Sequence, residues 1–313
     1  MPSREAVIKP QPSPSEVTVF APAKINVILR ILDRRPDGFH NLWSIMQTVG
    51  LEDEVRIRLN ADRQDIQLRC DATQLAADRS NLVYRAAAEV LERAQQAIGL
   101  DIELRKRIPM GAGLGGGSSD AAATIIGLNR LLQLEWSPMQ MADAGQSLGS
   151  DVPFFCFAPS AFVAGRGEQV RPVVIEGARW VVLVNPGFEV NTKWAYQELA
   201  ATRTAVTPLS QDQRELDRQS RVSWAQLIAA SENDFEAPVF AAHGKLREIK
   251  QTLQAQGAEI ALLSGSGATV FGVFADEASA RLAQAQFVSE NLMNVFVAPT
   301  CSGPLGWRYE LPR

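Results

Sequence analysis

The chain has 313 residues, of which 46% are hydrophobic and 21% charged, as in an ordinary globular protein long enough for two domains. Its net charge of −4 argues against a nucleic-acid or membrane partner, because such proteins usually carry an excess of basic residues. Cys70, Cys156 and Cys301 have neither disulfide nor zinc spacing, which favours free thiols in a reducing, cytoplasmic location. Residues 1–16, rich in proline and serine, predict a disordered lead-in, and no apolar run is long enough to span a bilayer.

Alternating and β-branched residues predict that the chain begins with strands. A bend at Pro22-Ala-Lys24 separates the first two strands, and a turn follows at residues 34–38. The predicted strands cover 17–21, 26–32, 55–59 and 66–70, and after them come a helix over 80–97 and a strand over 101–106.

A glycine-rich segment connects that last strand to an alanine-rich helix predicted over 120–132. Residues 109–119 read PMGAGLGGGSS, with five glycines in seven positions followed by two serines. Glycine allows positive φ and lets backbone N–H groups approach an anion closely. Ser118 and Ser119 are placed to cap the helix, whose N-terminal amides favour negative charge. The segment therefore predicts a phosphate-binding loop rather than a flexible linker.

The elements after this loop indicate two units of mixed helix and strand. A helix over 139–148 leads to Asp151, after which the apolar run is predicted to return to a strand. Strands over 160–164 and 169–175 complete a first unit, residues 1–175. In the second unit, residues 176–313, we predict strands over 180–184, 260–263, 270–274 and 294–298 and helices over 192–199, 241–256 and 277–290. This order predicts an α+β protein whose second unit is a split βαβ sandwich with a polar, mobile insertion over 202–221.

Gly111, Gly113 and Gly116 also satisfy the GxGxxG fingerprint of dinucleotide-binding folds. In such a fold the next helix leads to a second parallel strand that ends in an acidic residue. A turn and another helix are predicted here instead, which argues against a nicotinamide enzyme, although the glycine spacing alone does not exclude one. The lysine of a Walker loop does not follow the glycines either.

A kinase would need a base for the acceptor hydroxyl and a cation to offset charge in the transition state. Lys24, beside the proline bend, and Asp151, at a corner between two elements, are the candidates. Each has an ordinary alternative, since most lysines are solvated and most aspartates beside glycine form turns or caps. Their combination with the phosphate loop is what indicates catalysis.

Three segments together resemble the motifs of the kinases for galactose, homoserine, mevalonate and phosphomevalonate, the GHMP kinases. They are Pro22-Ala-Lys-Ile-Asn26, the loop 109–119 and Ser264-Gly-Ser-Gly-Ala-Thr269. Residues 35–41, 80–83 and 149–154 are similar to the branch that acts on a cytidine diphosphate alcohol, 4-diphosphocytidyl-2-C-methyl-D-erythritol. The resemblance covers residues 17–304. It implies an N-terminal ATP-binding α+β domain, a C-terminal ferredoxin-like domain and a cleft between them.

The resemblance further implies ATP and Mg²⁺ as cofactors and a role for individual residues. Asp151 corresponds to the base that accepts the proton of the acceptor 2-hydroxyl, and Lys24 to the lysine that orients it. The implied ATP-binding positions are Pro109, Met110, Gly111, Ala112, Gly113, Leu114, Gly115, Gly116, Gly117, Ser118 and Ser119, with Asn81, Leu82 and Lys106 near the adenine. The implied acceptor-binding positions are Asn26, Phe39, His40, Thr192, Tyr196, Gly265, Ser266 and Gly267.

Within the acceptor site, the resemblance implies that Phe39 and Tyr196 hold the cytosine between their rings. Close relatives carry tyrosine at the first position, so we expect stacking to survive here without the hydroxyl hydrogen bond. His243 is expected to be structural. Three alternatives to this function are a sister kinase for another alcohol such as mevalonate or homoserine, a non-catalytic nucleotide sensor, and a nicotinamide oxidoreductase. No paired carboxylate in the sequence identifies magnesium ligands.

Overall fold

The computed structural model describes residues 15–287, 293–302 and 307–311. Residues 1–14 of the predicted lead-in and residues 288–290 of the last predicted helix lie outside these ranges. The elements up to residue 176 are β1 (Glu16–Arg34), β2 (His40–Asn60), β3 (Ile66–Cys70), α1 (Leu82–Arg93), β4 (Gly99–Arg105), α2 (Gly116–Leu131), α3 (Pro138–Gly145), α4 (Val152–Phe157), β5 (Ser160–Gly165), β6 (Gln169–Pro172) and β7 (Val174–Glu176).

The long antiparallel hairpin of β1 and β2 is the centre of the first sheet. One part of β2 pairs with β5, which in turn pairs with β6, and the other part pairs with β4, which pairs with β3. Helix α2 approaches this sheet closely at Gly127, where a Cβ would lie within 3.3 Å of side chains of Val17, Val19 and Ile57. The sheet therefore carries, directly against it, the helix that follows the glycine loop.

The predicted bend that divides the first strand is wrong, because β1 is one continuous strand through Lys24. Its register against β2 shifts between Pro22 and Ala23 and again between Asn26 and Ile28, and these irregularities accommodate the proline within the strand. The prediction also missed most of β2, which begins at His40. Both strands are buried continuously over their central residues, so the alternation that marks a strand is lost there.

The predicted strand after Asp151 is also wrong, because Val152–Phe157 forms helix α4. Pro153 lies in the first turn of this helix, where its missing N–H is not needed. A short apolar run fits a buried strand and a buried helix equally well. The helix changes the direction in which the chain presents Asp151, which becomes a helix N-cap.

The second part of the chain contains a four-stranded antiparallel sheet. Its elements are β8 (Trp180–Asn185), α5 (Thr192–Thr202), α6 (Gln211–Leu216), β9 (Arg221–Ser223), α7 (Trp224–Ala230), β10 (Glu232–Asn233), α8 (Glu236–Ala242), α9 (Gly244–Ala255), β11 (Ile260–Leu263), β12 (Val270–Phe274), α10 (Glu277–Ala285), β13 (Asn294–Pro299) and β14 (Arg308–Glu310). The strand order is β11-β12-β8-β13, with α9 and α10 packed on the sheet. This is the ferredoxin-like βαββαβ arrangement, so the predicted α+β fold class is confirmed. The predicted helix 241–256 is interrupted at His243, which stacks on Phe188 with ring centroids 5.2 Å apart.

The chain after residue 176 also completes the first sheet. Strand β10 pairs in parallel with β1 at Ile28 and Leu29, and β14 pairs with the start of β1. Beside β10, the buried guanidinium of Arg30 contacts Glu232 at 2.9 Å and Asp234 at 3.0 Å. The boundary at residue 175 stays a prediction, and two strands from beyond it belong to the first sheet.

The segment 202–221, predicted as a polar mobile insertion, contains α6, which a Ser210 capping box begins. Gln213 and Leu216 of this helix are buried, and Gln213 Oε1 accepts a 2.8 Å hydrogen bond from Arg30. Its mobility stays a prediction, but the segment has a folded anchor against β1. Across the described ranges, no helix is both long and apolar enough to cross a membrane.

Candidate active site

Lys24 and Asp151 meet at the centre of the site. The Lys24 side chain, buried on β1, places Nζ 3.5 Å from Asp151 Oδ2. The same ammonium donates to Asn26 Oδ1 at 2.7 Å and to the carbonyl oxygen of Gly113 at 3.0 Å. One cation therefore joins the strand, the glycine loop and the carboxylate that the sequence predicted as the base.

A short hydrogen-bond chain fixes the orientation of the lysine. Asn26 Nδ2 donates to Ser44 Oγ at 2.9 Å, and this hydroxyl donates to the carbonyl oxygen of Ile28 at 2.6 Å. The Asn26 amide oxygen is thereby turned towards the Lys24 ammonium. Ser44 could not be predicted from the sequence, because a single serine within a strand carries no local signal and only the register of β2 on β1 brings it to Asn26.

Asp151 is the N-cap residue of α4, yet its side chain makes no capping hydrogen bond. The side chain is 28% exposed and lines a cavity together with Lys24. The carboxylate is therefore open to a hydroxyl that enters the cavity, at 3.5 Å from the ammonium that can orient it.

The glycine loop packs against the second small-residue loop, 264–269. Ser264 Oγ donates to the carbonyl oxygen of Gly113 at 2.9 Å, and the Thr269 N–H donates to that of Ala112 at 3.1 Å. Gly113 has φ +75°, and a Cβ there would lie 2.0 Å from the Ser264 carbonyl oxygen. Asn233, which the sequence analysis missed, holds the second loop by donating to the carbonyl oxygens of Leu263 and Gly265.

Replacing Gly113 with alanine is expected to separate these two loops. The methyl group meets a backbone oxygen, which cannot move aside as a flexible side chain would, and the left-handed backbone adds strain. We expect the KM for ATP to rise at least about tenfold and the free energy of unfolding to fall by about 1–3 kcal/mol. Gly257→Ala is the matched control, because Gly257 also has a left-handed backbone (φ +86°) but a Cβ there would have no neighbouring atom within 4 Å. An ATP KM that changes equally in both variants would contradict the clash.

Helix α2 begins earlier than predicted, and glycine rather than serine caps it. Gly115, with φ +71°, is the N-cap, and Ser118 and Ser119 lie within the first turn. Ser119 is fully buried and its hydroxyl donates to the carbonyl oxygen of Pro22 at 2.7 Å. The free N–H groups of this first turn thus lie in the glycine segment itself, a suitable environment for phosphate. Ala112 and Leu114 have buried side chains, so they can offer backbone groups only.

The three residues predicted near adenine differ in how much of each side chain is free. Asn81 caps α1 by accepting from the Val83 N–H at 2.9 Å, and its amide also donates to Ala76. Leu82 lies beside the glycine segment, 3.4 Å from where a Cβ of Gly117 would be. The ammonium of Lys106 points inwards to Asp53 and Asp120 with only 7% of the side chain exposed. Adenine contacts at these positions stay a prediction.

A cavity of about 920 Å³ opens beside the lysine–aspartate pair. The predicted residues that line it are Lys24, Asn26, Phe39, His40, Gly113, Gly115, Asp151, Thr192, Tyr196, Gly265 and Ser266. The hydroxyls of Thr192 and Ser266 are 2.9 Å apart, which connects α5 to the second loop. Gly267 does not line the cavity, and a Cβ there would face Leu263 and Val190. The structure thus brings most of the predicted acceptor residues to one space next to the catalytic pair.

Aromatic rings line part of this cavity. His40 stacks on Tyr196, with centroids 5.2 Å apart and an interplanar angle of 21°. Phe39 is 53% exposed, and the Arg166 guanidinium lies 4.1 Å above its ring. Cytosine between Phe39 and Tyr196 stays a prediction, since other side chains cover one face of each ring. Arg34, Arg166 and Lys193 add positive charge to the lining, and the sequence analysis had assigned none of the three.

Burial and charge set the protonation of the two titratable rings. Burial, and then the positive charges of Arg34 and Arg203, lower the pKa of His40, so its imidazole is neutral at pH 7. A neutral imidazole offers one donor and one acceptor, which suits an uncharged base. Burial, with the nearby Asp151 as a smaller cause, raises the pKa of Tyr196 to about 12, so its phenol keeps its proton.

Comparison with known families assigns this fold and site to a class of small-molecule kinases. Residues 81–158 match the profile of the GHMP kinases N terminal domain, and residues 209–292 match that of the GHMP kinases C terminal domain. A crystal structure of homoserine kinase from Cytophaga hutchinsonii superposes with a TM-score of 0.75 at 18% identity, covering 97% of this chain and 100% of that one. At that identity the likeness concerns the fold alone.

More similar relatives narrow the class. The 4-diphosphocytidyl-2-C-methyl-D-erythritol kinase of Geobacter sp. (strain M21) is 40% identical over 272 residues, 87% of this chain and 94% of the relative. The enzyme of that name from Syntrophotalea carbinolica is 41% identical over 92% of this chain and 95% of its own length. A crystal structure of 4-(cytidine 5'-diphospho)-2C-methyl-D-erythritol kinase gives a TM-score of 0.74 at 31% identity, with coverage of 91% and 100%. The chain belongs to the 4-diphosphocytidyl-2-C-methyl-D-erythritol kinase family.

Proposed function

We propose that the chain transfers the γ-phosphoryl group of ATP to the 2-hydroxyl of 4-diphosphocytidyl-2-C-methyl-D-erythritol. The observation that carries this proposal is the position of the Lys24–Asp151 pair, between the glycine loop and the aromatic-lined cavity. The cavity is of a size that fits one small-molecule acceptor. Family membership supports the same reaction.

The side chains of the pair have complementary tasks in this reaction. The acceptor hydroxyl oxygen forms a bond to the γ-phosphorus, the bond from phosphorus to the β-bridging oxygen breaks, and ADP leaves. Asp151 takes the hydroxyl proton, and Lys24 orients the carboxylate and offsets charge on the transferring group. Because Lys24 also holds the Gly113 carbonyl, the same ammonium aligns the base with the phosphate loop.

Mg²⁺ belongs to this proposal as a companion of the nucleotide. The described residues contain no group of three or more His, Cys, Asp or Glu side chains that could hold a metal ion by themselves. Mg²⁺ in kinases is usually bound by substrate phosphates with one or two carboxylates, and it neutralises phosphate charge there. One carboxylate lies against the loop, since a Cβ on Gly111 would be 2.4 Å from the Glu189 side chain. Glu189 is the residue that would complete the coordination.

The residues that line the cavity favour a diphosphocytidyl compound as the acceptor, rather than a simple alcohol. Neutral His40, the Tyr196 ring and the exposed Phe39 ring provide flat apolar faces and hydrogen-bonding groups for a base. Arg34, Arg166 and Lys193 provide positive charge for a diphosphate. Mevalonate and homoserine, the acceptors of sister kinases, have neither a base nor a diphosphate to use these groups.

A coupled ADP-release assay over a small panel of alcohols tests this proposal. With ATP and Mg²⁺, we expect turnover with 4-diphosphocytidyl-2-C-methyl-D-erythritol at least about a hundredfold above that with mevalonate or homoserine. The reason is that an alcohol without the base and the diphosphate leaves the polar groups of the site unpaired, which a binding site discriminates against strongly. CMP is expected to compete with the acceptor and leave the KM for ATP unchanged. Comparable turnover of mevalonate or homoserine, or no competition by CMP, would refute the assigned acceptor.

A further inference from the structure

Beneath the glycine loop, two aspartates enclose one lysine. Lys106 Nζ donates to Asp53 Oδ2 and, at 2.6 Å, to Asp120 Oδ2. Asp53 is fully buried, and the side chains of Lys106 and Asp120 are 7% and 3% exposed. The three side chains come from β2, from the residue after β4 and from α2, so the cluster joins three elements. None of them faces the cavity of the acceptor.

This cluster holds both ends of the glycine loop. On the side before the loop, Asp53 Oδ1 accepts the backbone N–H groups of Arg107 and Ile108, directly ahead of Pro109. On the side after the loop, Asp120 belongs to α2, one residue beyond the serine pair. The ammonium itself lies under the start of the helix, 3.3 Å from where a Cβ of Gly116 would be.

We propose that Asp53, Lys106 and Asp120 are positioning residues for ATP, which set the distance between the two ends of the phosphate loop without touching the nucleotide. The inference rests on the proposed kinase function. It assigns the Lys106 side chain a different task from the adenine contact that the family resemblance implies. A loop held at only one end would keep its glycines but lose the spacing of the N–H groups that bind phosphate.

The charge balance of the cluster supports a link to the negative charge above it. Two buried carboxylates share one ammonium, and Asp120 Oδ1 is buried without a hydrogen-bond partner among the described residues. Burial raises the pKa of Asp120 to about 8, with Asp53 adding to the shift and Lys106 opposing it. On the β3 side, Asp71 accepts the Lys106 backbone N–H, and the Cys70 thiol, whose pKa burial raises, stays neutral at pH 7.

The sign of the expected pH effect follows from this balance. Because the pKa of Asp120 is raised to about 8, its carboxyl holds its proton at pH 7. As the pH rises past that value the proton leaves, and one further negative charge appears under the first turns of α2, where the ATP phosphates are expected. Nucleotide affinity should therefore fall with rising pH through this range.

Calorimetric titration with ADP tests the proposal on the full chain. We expect Lys106→Met to weaken ADP binding about tenfold or more, and to leave CMP binding within about twofold, because the cluster does not border the acceptor cavity. Arg179→Met is the matched control, because it removes a part-buried ion pair, the one between Arg179 and Glu259. Arg179 precedes the first residue of β8, far from the glycine loop, so this variant should not change ADP affinity. Equal losses for ADP and CMP, or unchanged ADP binding in Lys106→Met, would overturn the positioning role.

Asp120→Asn keeps the size of the side chain and removes the titration, so it tests the cluster even where Lys106→Met fails to fold. In the wild type, ADP affinity is expected to fall about three- to tenfold between pH 7 and pH 9, the size of effect that one added charge has at an effective dielectric near 20. In Asp120→Asn this fall should shrink to less than about twofold. An equal fall in both proteins overturns the proposal, while a wild type that binds no ADP overturns the proposed kinase function as well.

Discussion

Asp151→Asn is expected to lower kcat by about 10²–10⁴-fold, the usual contribution of a general base. The amide has nearly the same shape, but it cannot take the proton of the acceptor hydroxyl. ADP affinity should stay within about twofold, because Asp151 reaches the glycine loop only through Lys24. Steady-state turnover and calorimetric ADP binding measure the two effects separately.

The control for this variant is Asp276→Asn. Asp276 is also a helix N-cap, and its side chain accepts the Ser279 N–H at 2.9 Å, a bond that asparagine can replace. It lies at the start of α10, so kcat should equal that of the wild type. If Asp151→Asn retains kcat within about tenfold of wild type, the carboxylate is not the base.

Lys24→Met is expected to be the second severe variant, with kcat lower by about 10²–10³-fold, the range found when one donor at developing charge is removed. Methionine fills the space of the stem, but it leaves Asn26 Oδ1 without the lysine donor and the Gly113 carbonyl oxygen with the Ser264 hydroxyl in place of two donors. The KM for ATP should rise as well, because the lysine anchors the loop. Single-turnover kinetics would separate the loss in chemistry from the loss in binding.

A double variant tests whether Lys24 and Asp151 act as one unit. If the ammonium serves mainly to orient the carboxylate, Lys24→Met combined with Asp151→Asn should be scarcely slower than the slower single variant. Fully multiplicative losses would mean that the two side chains contribute independently. Lys24→Arg should not restore activity, since a guanidinium is planar and larger than an ammonium and the glycine loop packs closely here: a Cβ on Gly115 would lie 3.0 Å from Lys24 Cγ.

The sequence carried enough information to predict the main chemistry of the site. The glycine loop, Lys24 and Asp151 are each short local patterns, and the resemblance joined them before the structure placed them within contact. The ferredoxin-like order of the second unit followed from helical and strand periodicities that are local as well.

What sequence could not predict depends on contacts between distant segments. Ser44 and Asp53 act through the register of β2 against β1 and the loop, and neither has a distinctive neighbour in sequence. The helix after Asp151 looked like a strand because an apolar run of six residues fits both. The family resemblance placed Lys106 near the adenine, and only the fold shows that its ammonium is buried between two acids.

The pairing of β10 with β1 has a consequence for how the protein is made on the ribosome. The outer edge of β1 at Ile28 and Leu29 can pair only after residues 232–233 have been synthesised. The ion pairs of Arg30 with Glu232 and Asp234 likewise form only then. A nascent chain of the first 175 residues thus carries an open strand edge, and its Arg30 guanidinium lacks the two carboxylates that pair with it in the complete fold. The first sheet is therefore completed late in translation, in the same stage as the loop 264–269, to which Asn233 donates hydrogen bonds.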